Sequence, residues 1–217
     1  MNETVEYWNK VQWSVFACPN PCLFRFMFHA GINIENKKVL DLGFGIGADL
    51  LEMQKRGAKT YGIDIDKRKV DDINKLKGNS KFPIVLHGNI ATDIKNLNES
   101  FDFIFSEDML YYLKEEELLQ CLNEVKETLT ADGKFLFQVI TGDYKLVDGK
   151  EIFDPKAILK DSGNPILFRD EEFYISCLEK EGFKVTGKKL IKETFFANCE
   201  AVRHNLYICC SKWSIIK

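Results

Sequence analysis

The sequence predicts a doubly wound α/β domain, a mostly parallel sheet with helices on both faces. Three observations carry this. Short apolar runs alternate with helical patterns from residue 37 to residue 140. A glycine-rich turn, "GFGIG" at Gly43–Gly47, joins the first strand to the first of these helices. Two strands then follow one another near the end, with no helix between them. Alternation of this kind means βαβ units, whose right-handed crossovers build a parallel sheet covered on both sides. The closing pair predicts an antiparallel last strand.

Each element has its own signal. "KKVLDLG" (Lys37–Gly43) is a first strand, and "ADLLEMQKRG" is the helix after it, stopped by Gly57. "KTYGIDI" is a second strand. Asp66 then caps a helix that runs to about Lys77. "FPIVLHGN" and "SFDFIFSE" are the third and fourth strands. Leu118, Leu119, Leu122, Val125 and Leu129 recur at helical spacing, and "GKFLFQVI" is a fifth strand. Residues 141–169 hold Gly142, Gly149, Gly163, Pro155 and Pro165 with no clean period. They read as a loop or insertion after the fifth strand, and such segments often serve function. "RDEEFYISCLEKEGF" is a helix ending at Gly182. "FKVTGKKLIKE" and "HNLYICCSK" are the closing strands.

Residues 1–31 stand apart. They carry Tyr7, Trp8, Trp13, Phe16, Phe24, Phe26 and Phe28, with helical pieces broken by "CPNP". The segment reads as a helix packed on the sheet and, compatibly, as an aromatic lid over a ligand.

The 217 residues suffice for one domain spanning 1–217. Hydrophobic residues make up 45% and charged residues 29%, and the formal net charge is −3. A weakly acidic chain has no general attraction to nucleic acid or anionic membrane, so neither is expected as a partner. No run approaches the roughly 20 apolar residues of a membrane helix. The start, "MNETVEYWNK", is too polar for a signal peptide. A cytoplasmic location is expected, with the seven cysteines as reduced thiols. "CPNPC" (Cys18, Cys22) lies near His29 but lacks a second Cys or His pair, so no metal is expected. Nothing in the sequence sets the oligomeric state.

The glycine turn fits two ligands. Gly43, Gly45 and Ala48 match the relaxed dinucleotide pattern G-x-G-x-x-A. Against a dinucleotide, Asp41 precedes the glycines, where a carboxylate would oppose a pyrophosphate but suit an ammonium group. Gly47 extends the spacing to G-x-G-x-G.

"VLDLGFGIG" resembles the first motif of class I S-adenosylmethionine-dependent methyltransferases, D/E-x-G-x-G-x-G, and the likeness continues in order over about residues 37–140. It implies a Rossmann-like methyltransferase fold with a seven-stranded sheet. It implies S-adenosylmethionine as cofactor and S-adenosylhomocysteine as product. Asp41, Gly43, Gly45 and Gly47 then fall at the methionine end. Asp64 of "GIDID" falls on the ribose hydroxyls, and Ile65 on the adenine. "HGNI" resembles the turn after the third strand, which places Asn89 and Ile90 at the adenine, with asparagine where the family often has aspartate. "FDFIFSEDMLYYL" resembles the fourth-strand motif. Asp108 and Tyr112 sit there at positions that are often acidic and histidine, and are the candidates for catalysis and acceptor contact. Tyr111, Asp143, Tyr144, Arg25 and Arg169 are further candidates for acceptor contact. The reaction implied is direct in-line methyl transfer to a small molecule. The alternatives are a methyltransferase acting on RNA or protein, a non-methylating protein that binds the same cofactor, and a nicotinamide-dependent reductase.

Overall fold

The computed structural model describes residues 18–158, 166–194 and 201–213. Helix α1 (Pro21–His29) precedes a regular alternation. It runs β1 (Lys38–Leu42), α2 (Ala48–Lys55), β2 (Lys59–Asp64), α3 (Lys67–Lys77), β3 (Ile84–His87), β4 (Phe101–Ser106), α4 (Glu115–Thr128) and β5 (Leu129–Val147). Then come β6 (Lys150–Phe153), α5 (Glu171–Lys180), β7 (Phe183–Thr194) and β8 (Ala201–Lys212). The sheet order is β3-β2-β1-β4-β5-β8-β7, with β6 paired to β5. Strands β1 to β5 pair in parallel, whereas β8 runs antiparallel to both β5 and β7. The chain therefore winds out from β1 in both directions, and the order reverses between β1 and β4. A crevice opens at the carboxyl ends of strands flanking such a reversal.

Residue parity along the central strands sorts the core. Val39, Phe103 and Phe105 pack with Leu23 and Met27 of α1 and Met53 of α2. Leu40, Leu42 and Ile104 pack on the opposite face with Leu118, Cys121, Leu122 and Val125 of α4 and Tyr174 and Leu178 of α5. Successive side chains of a strand point to opposite faces, so near-continuous apolar strands are what a sheet covered on both sides requires. Each fully buried Leu or Phe contributes roughly 1.5–3 kcal/mol relative to exposure. Cys209 and Cys210 both belong to the interior.

Asp66 caps α3, its side chain accepting the Arg68 backbone N–H at 2.9 Å. Asp66→Ala should cost about 1 kcal/mol. In a domain of this size that lowers the melting temperature by roughly 2–4 °C. An unchanged melting curve would mean that Arg68 and water replace the cap fully.

The segment read as an insertion differs from expectation. Strand β5 continues through residues 141–147, and Asp148-Gly149 turns it into β6, with Val147 opposite Lys150. Both turn residues have positive φ, 49° and 74°, which is the geometry of a tight type I′ hairpin. The register shift between Ile140 and Gly142 lets β5 bend along β8 on the way. Residues 159–165 of that segment lie outside the described residues. So do Tyr7, Trp8, Trp13 and Phe16 of the front. The described part of the front is helix on sheet: Asn20 caps α1, and Phe26 stacks on Tyr207 of β8 at 5.9 Å.

Candidate active site

A cavity of about 310 Å³ lies at the carboxyl ends of β1, β2 and β4, at the reversal of strand order. The glycine turn after β1 forms its floor. Gly43 and Gly47 both have positive φ, 79° and 77°. A Cβ on Gly43 would stand 2.7 Å from Met109 Cγ, and one on Gly47 2.4 Å from Ile73 Cδ1. Glycine removes both the steric overlap and the backbone strain. Gly45 donates its N–H to Asp64 Oδ2 at 2.8 Å, and Asp64 Oδ1 accepts the Asp66 N–H at 2.8 Å. Asp64 thus ties the turn to the end of β2. An ionised carboxylate offers about four acceptor sites, so roughly two remain for a ligand.

The wall is acidic. Among the described residues, Asp41, Asp49, Asp64, Asp66, Glu107 and Asp108 line the cavity, against one lysine, Lys69. Asp66 is paired with Arg68 at 2.7 Å. The other carboxyls are strained electrostatically. Burial, then the charges of Asp49 and Asp64, push Asp41 well above the usual carboxylate range. Among the described residues nothing donates a hydrogen bond to the Asp41 carboxylate. Burial raises Asp49 and Asp64 too, partly offset by the backbone N–H groups that they accept. Burial, with Asp49 and Asp108 nearby, pushes Glu107 well above its ordinary value. Asp108 opens toward the cavity, yet protein crowds it closely enough that desolvation raises its pKa. The Arg203 charge and the Tyr111 hydroxyl oppose that rise. Unpaired carboxylates gathered in a crevice fit a cationic ligand and oppose a pyrophosphate.

Asp108 sits at φ +52°, its N–H held by Gln138 Oε1 at 2.9 Å. The Tyr111 hydroxyl donates to Asp108 Oδ1 at 3.2 Å and also hydrogen-bonds Tyr112. Gln138 donates to Asn205, which donates to Glu193. Arg203 grips the fully buried Asp143 through two 2.8 Å bonds.

Of the residues singled out in the sequence, Asp41, Gly43, Gly45, Asp64, Ile65 and Asp108 line the cavity together. Four do not. Gly47 shapes the turn as the residue that starts α2. Asn89 spends its side-chain oxygen on the Ala91 N–H at 2.9 Å, in a local turn. Ile90 belongs to the core. Tyr112 is buried beside Tyr111, which is the tyrosine that reaches Asp108. Arg25 lies on a separate groove of about 790 Å³ between α1 and β7, and Arg169 donates to the Leu113 carbonyl. Tyr144 stacks on His204. Sequence reading missed Asn20, Asp49 and Glu107. Asn20 donates its N–H to Asp49 Oδ1 and its side-chain amide to Glu107 Oε2, each at 2.8 Å.

Comparison with known proteins agrees with this geometry. The model of the family described as a methyltransferase domain matches residues 40–137, from β1 into β5. That span holds the acid before the glycine turn, the turn itself and the acid ending β2. Over that span the chain is similar to S-adenosylmethionine-dependent methyltransferases. A phosphoethanolamine N-methyltransferase of Plasmodium falciparum is 33% identical over 104 residues, covering 47% of this chain and 38% of that protein. Phosphoethanolamine N-methyltransferase 1 of Zea mays is 27% identical over 143 residues, covering 64% of this chain and 26% of that protein. The chain thus spans well under half the length of the curated relatives it matches. Among solved methyltransferases, a glycopeptide N-methyltransferase complexed with sinefungin has the same fold. Its TM-score is 0.64 at 13% identity, covering 93% of this chain and 89% of that chain. Magnesium protoporphyrin IX methyltransferase of Synechocystis PCC 6803, solved with bound SAM, gives 0.60 at 14% identity, covering 88% of this chain and 76% of that chain.

Proposed function

We propose that this methyltransferase moves a methyl group from S-adenosylmethionine to a small-molecule acceptor by in-line displacement. The acid-lined cavity on the glycine turn carries the reading, because a cofactor with sulfonium and ammonium charges satisfies carboxylates that otherwise repel one another. Asp41 serves the ammonium group and Asp64 the ribose hydroxyls, while Gly43 and Gly45 let the backbone approach. When bound, the cofactor supplies an electrophilic methyl group whose leaving group is a neutral thioether. The chain's part is to align the acceptor and exclude water, an effect worth roughly 7–11 kcal/mol when alignment is good. Asp108 takes the acceptor's proton where one must be lost, and Tyr111 orients it, backed by Tyr112. The aromatic front, residues 1–31, acts as the lid, and the 141–169 segment borders the acceptor. The acceptor is small because the chain is acidic overall, with no general pull toward a polyanion. The reduced thiols of the interior suit the cytoplasm. Among the described residues, no helix is long and apolar enough to cross a membrane. Labelled methyl transfer from the cofactor into a metabolite extract tests the reading. Label entering bulk RNA or protein, and no metabolite, would overturn it.

Electrostatics adds a further expectation. In the free protein, burial and mutual repulsion raise Asp41, Asp49, Asp64, Glu107 and Asp108, with Lys69 and the paired Asp66 lining the same cavity and the Arg203 charge acting on Asp108. A bound cation favours the ionised forms, so cofactor binding should release protons and tighten as pH rises above the ordinary carboxylate range. The sign for stability is opposite. A carboxyl raised in the folded state stabilises the fold below its unfolded value of about 4, and that contribution is lost as pH rises through the folded value. The cofactor should therefore raise the melting temperature more at pH 8 than at pH 6. Calorimetry at pH 6 in two buffers of different ionisation heat counts the protons; equal heats would contradict the expectation.

A further inference from the structure

We propose that Glu107 is a cofactor-binding residue whose Oε1 receives the α-ammonium group of the methionine moiety. The inference rests on reading the cavity as the S-adenosylmethionine site, and it adds a contact on β4 to those of the glycine turn. Glu107 lines the cavity directly after β4. Its two oxygens differ. Oε2 accepts the Asn20 side-chain amide at 2.8 Å. Oε1 is shielded from solvent and has no hydrogen-bond partner among the described residues. A buried carboxylate oxygen left without a donor is costly, and native structures rarely leave one without a ligand, ion or water to fill it.

The surroundings specify the missing donor. The strongest charges acting on Glu107 are the carboxylates of Asp49, Asp108 and Asp41, which favours a cationic partner. Asp41 stands before the glycine turn and Asp49 in the first turn of α2 just after it. Both flank the methionine end, whereas Asp64 marks the ribose end. An ammonium group brings three donors and a positive charge to this trio.

Asn20 holds the arrangement. It accepts the Cys22 N–H at 2.9 Å as the cap of α1, and it donates to Asp49, Glu107 and the Tyr207 hydroxyl. The entry to α1 is thereby fastened to both acids, and Asn20 engages Oε2 of Glu107, leaving Oε1 as the oxygen without a partner among the described residues.

The test compares wild type and Glu107→Gln by calorimetry with two ligands. S-adenosylhomocysteine carries the amino-acid moiety, and methylthioadenosine lacks it. Glutamine keeps an acceptor for Asn20 and removes a repelling charge, so the ligand-free variant should melt no lower than wild type. Glu107→Gln should bind S-adenosylhomocysteine at least tenfold more weakly and methylthioadenosine within twofold of wild type. Equal weakening of both ligands, or unchanged S-adenosylhomocysteine affinity, would overturn the inference while leaving the cofactor reading intact. A wild type that binds neither ligand would overturn both.

Discussion

Asp108→Asn lowers turnover by about 100-fold or more on an acceptor that must shed a proton, and leaves S-adenosylhomocysteine affinity within about twofold. A positioned general base is worth roughly 10²–10⁴ in rate, and asparagine keeps the shape without the basicity. The geometry favours this residue. Its raised pKa, caused mainly by burial, makes it a better proton acceptor than an ordinary carboxylate. Gln138 and Tyr111 hold it in place without neutralising it. Tyr111→Phe separates positioning from chemistry. It removes one hydrogen bond, so it should raise the acceptor's Michaelis constant and change turnover less than Asp108→Asn does. Tyr112→Phe, which leaves the Tyr111–Asp108 bond in place, should do less again. If Asp108→Asn instead abolishes cofactor binding, the residue is a ligand of the methionine end.

The second large effect is at Asp64. Asp64→Ala should weaken S-adenosylhomocysteine binding about 10- to 100-fold, because a hydrogen bond to a charged group is worth roughly 1.5–3 kcal/mol and about 1.4 kcal/mol is tenfold. The structure adds a second cause. Asp64 also accepts the Gly45 N–H, so its loss loosens the glycine turn that floors the cavity. Asp64→Asn narrows the causes: its one oxygen can keep the Gly45 N–H, while the amide nitrogen in place of Oδ1 gives up the Asp66 N–H and weakens any bond to ribose. Asp66→Ala, two residues on, should cost stability and little affinity. The reverse pattern, with affinity lost at Asp66 and kept at Asp64, would move the ribose contact to the cap.

The alternation of strands and helices was legible because each boundary is written locally. Asp66 caps α3 by bonding to the backbone two residues away, and glycines sit where φ must be positive. The β5–β6 hairpin was equally local. Asp148-Gly149 between extended runs is a strong hairpin signal, but Gly142 and Gly149 read together as breakers. Asn89 shows the limit of local spacing. Its spacing suits the adenine, yet an asparagine oxygen readily bonds a backbone N–H two residues on, and here it does. Residues 110–112 form a short 3₁₀ turn, which brings Tyr111 to Asp108, a contact that motif position alone does not give. Asn20 and Glu107 were illegible for a deeper reason. They are 87 residues apart, and only the packing of α1 against the end of β4 brings them within 2.8 Å. No local pattern encodes that contact.

The central claim is that the acid-lined cavity takes a sulfonium cofactor. Calorimetric titration of the purified chain with S-adenosylmethionine, and in parallel with NADH, tests it most directly. Saturable one-site binding of S-adenosylmethionine, lost in Asp64→Ala, with no heat from NADH, is the predicted result. Saturable binding of NADH with none of S-adenosylmethionine would contradict it.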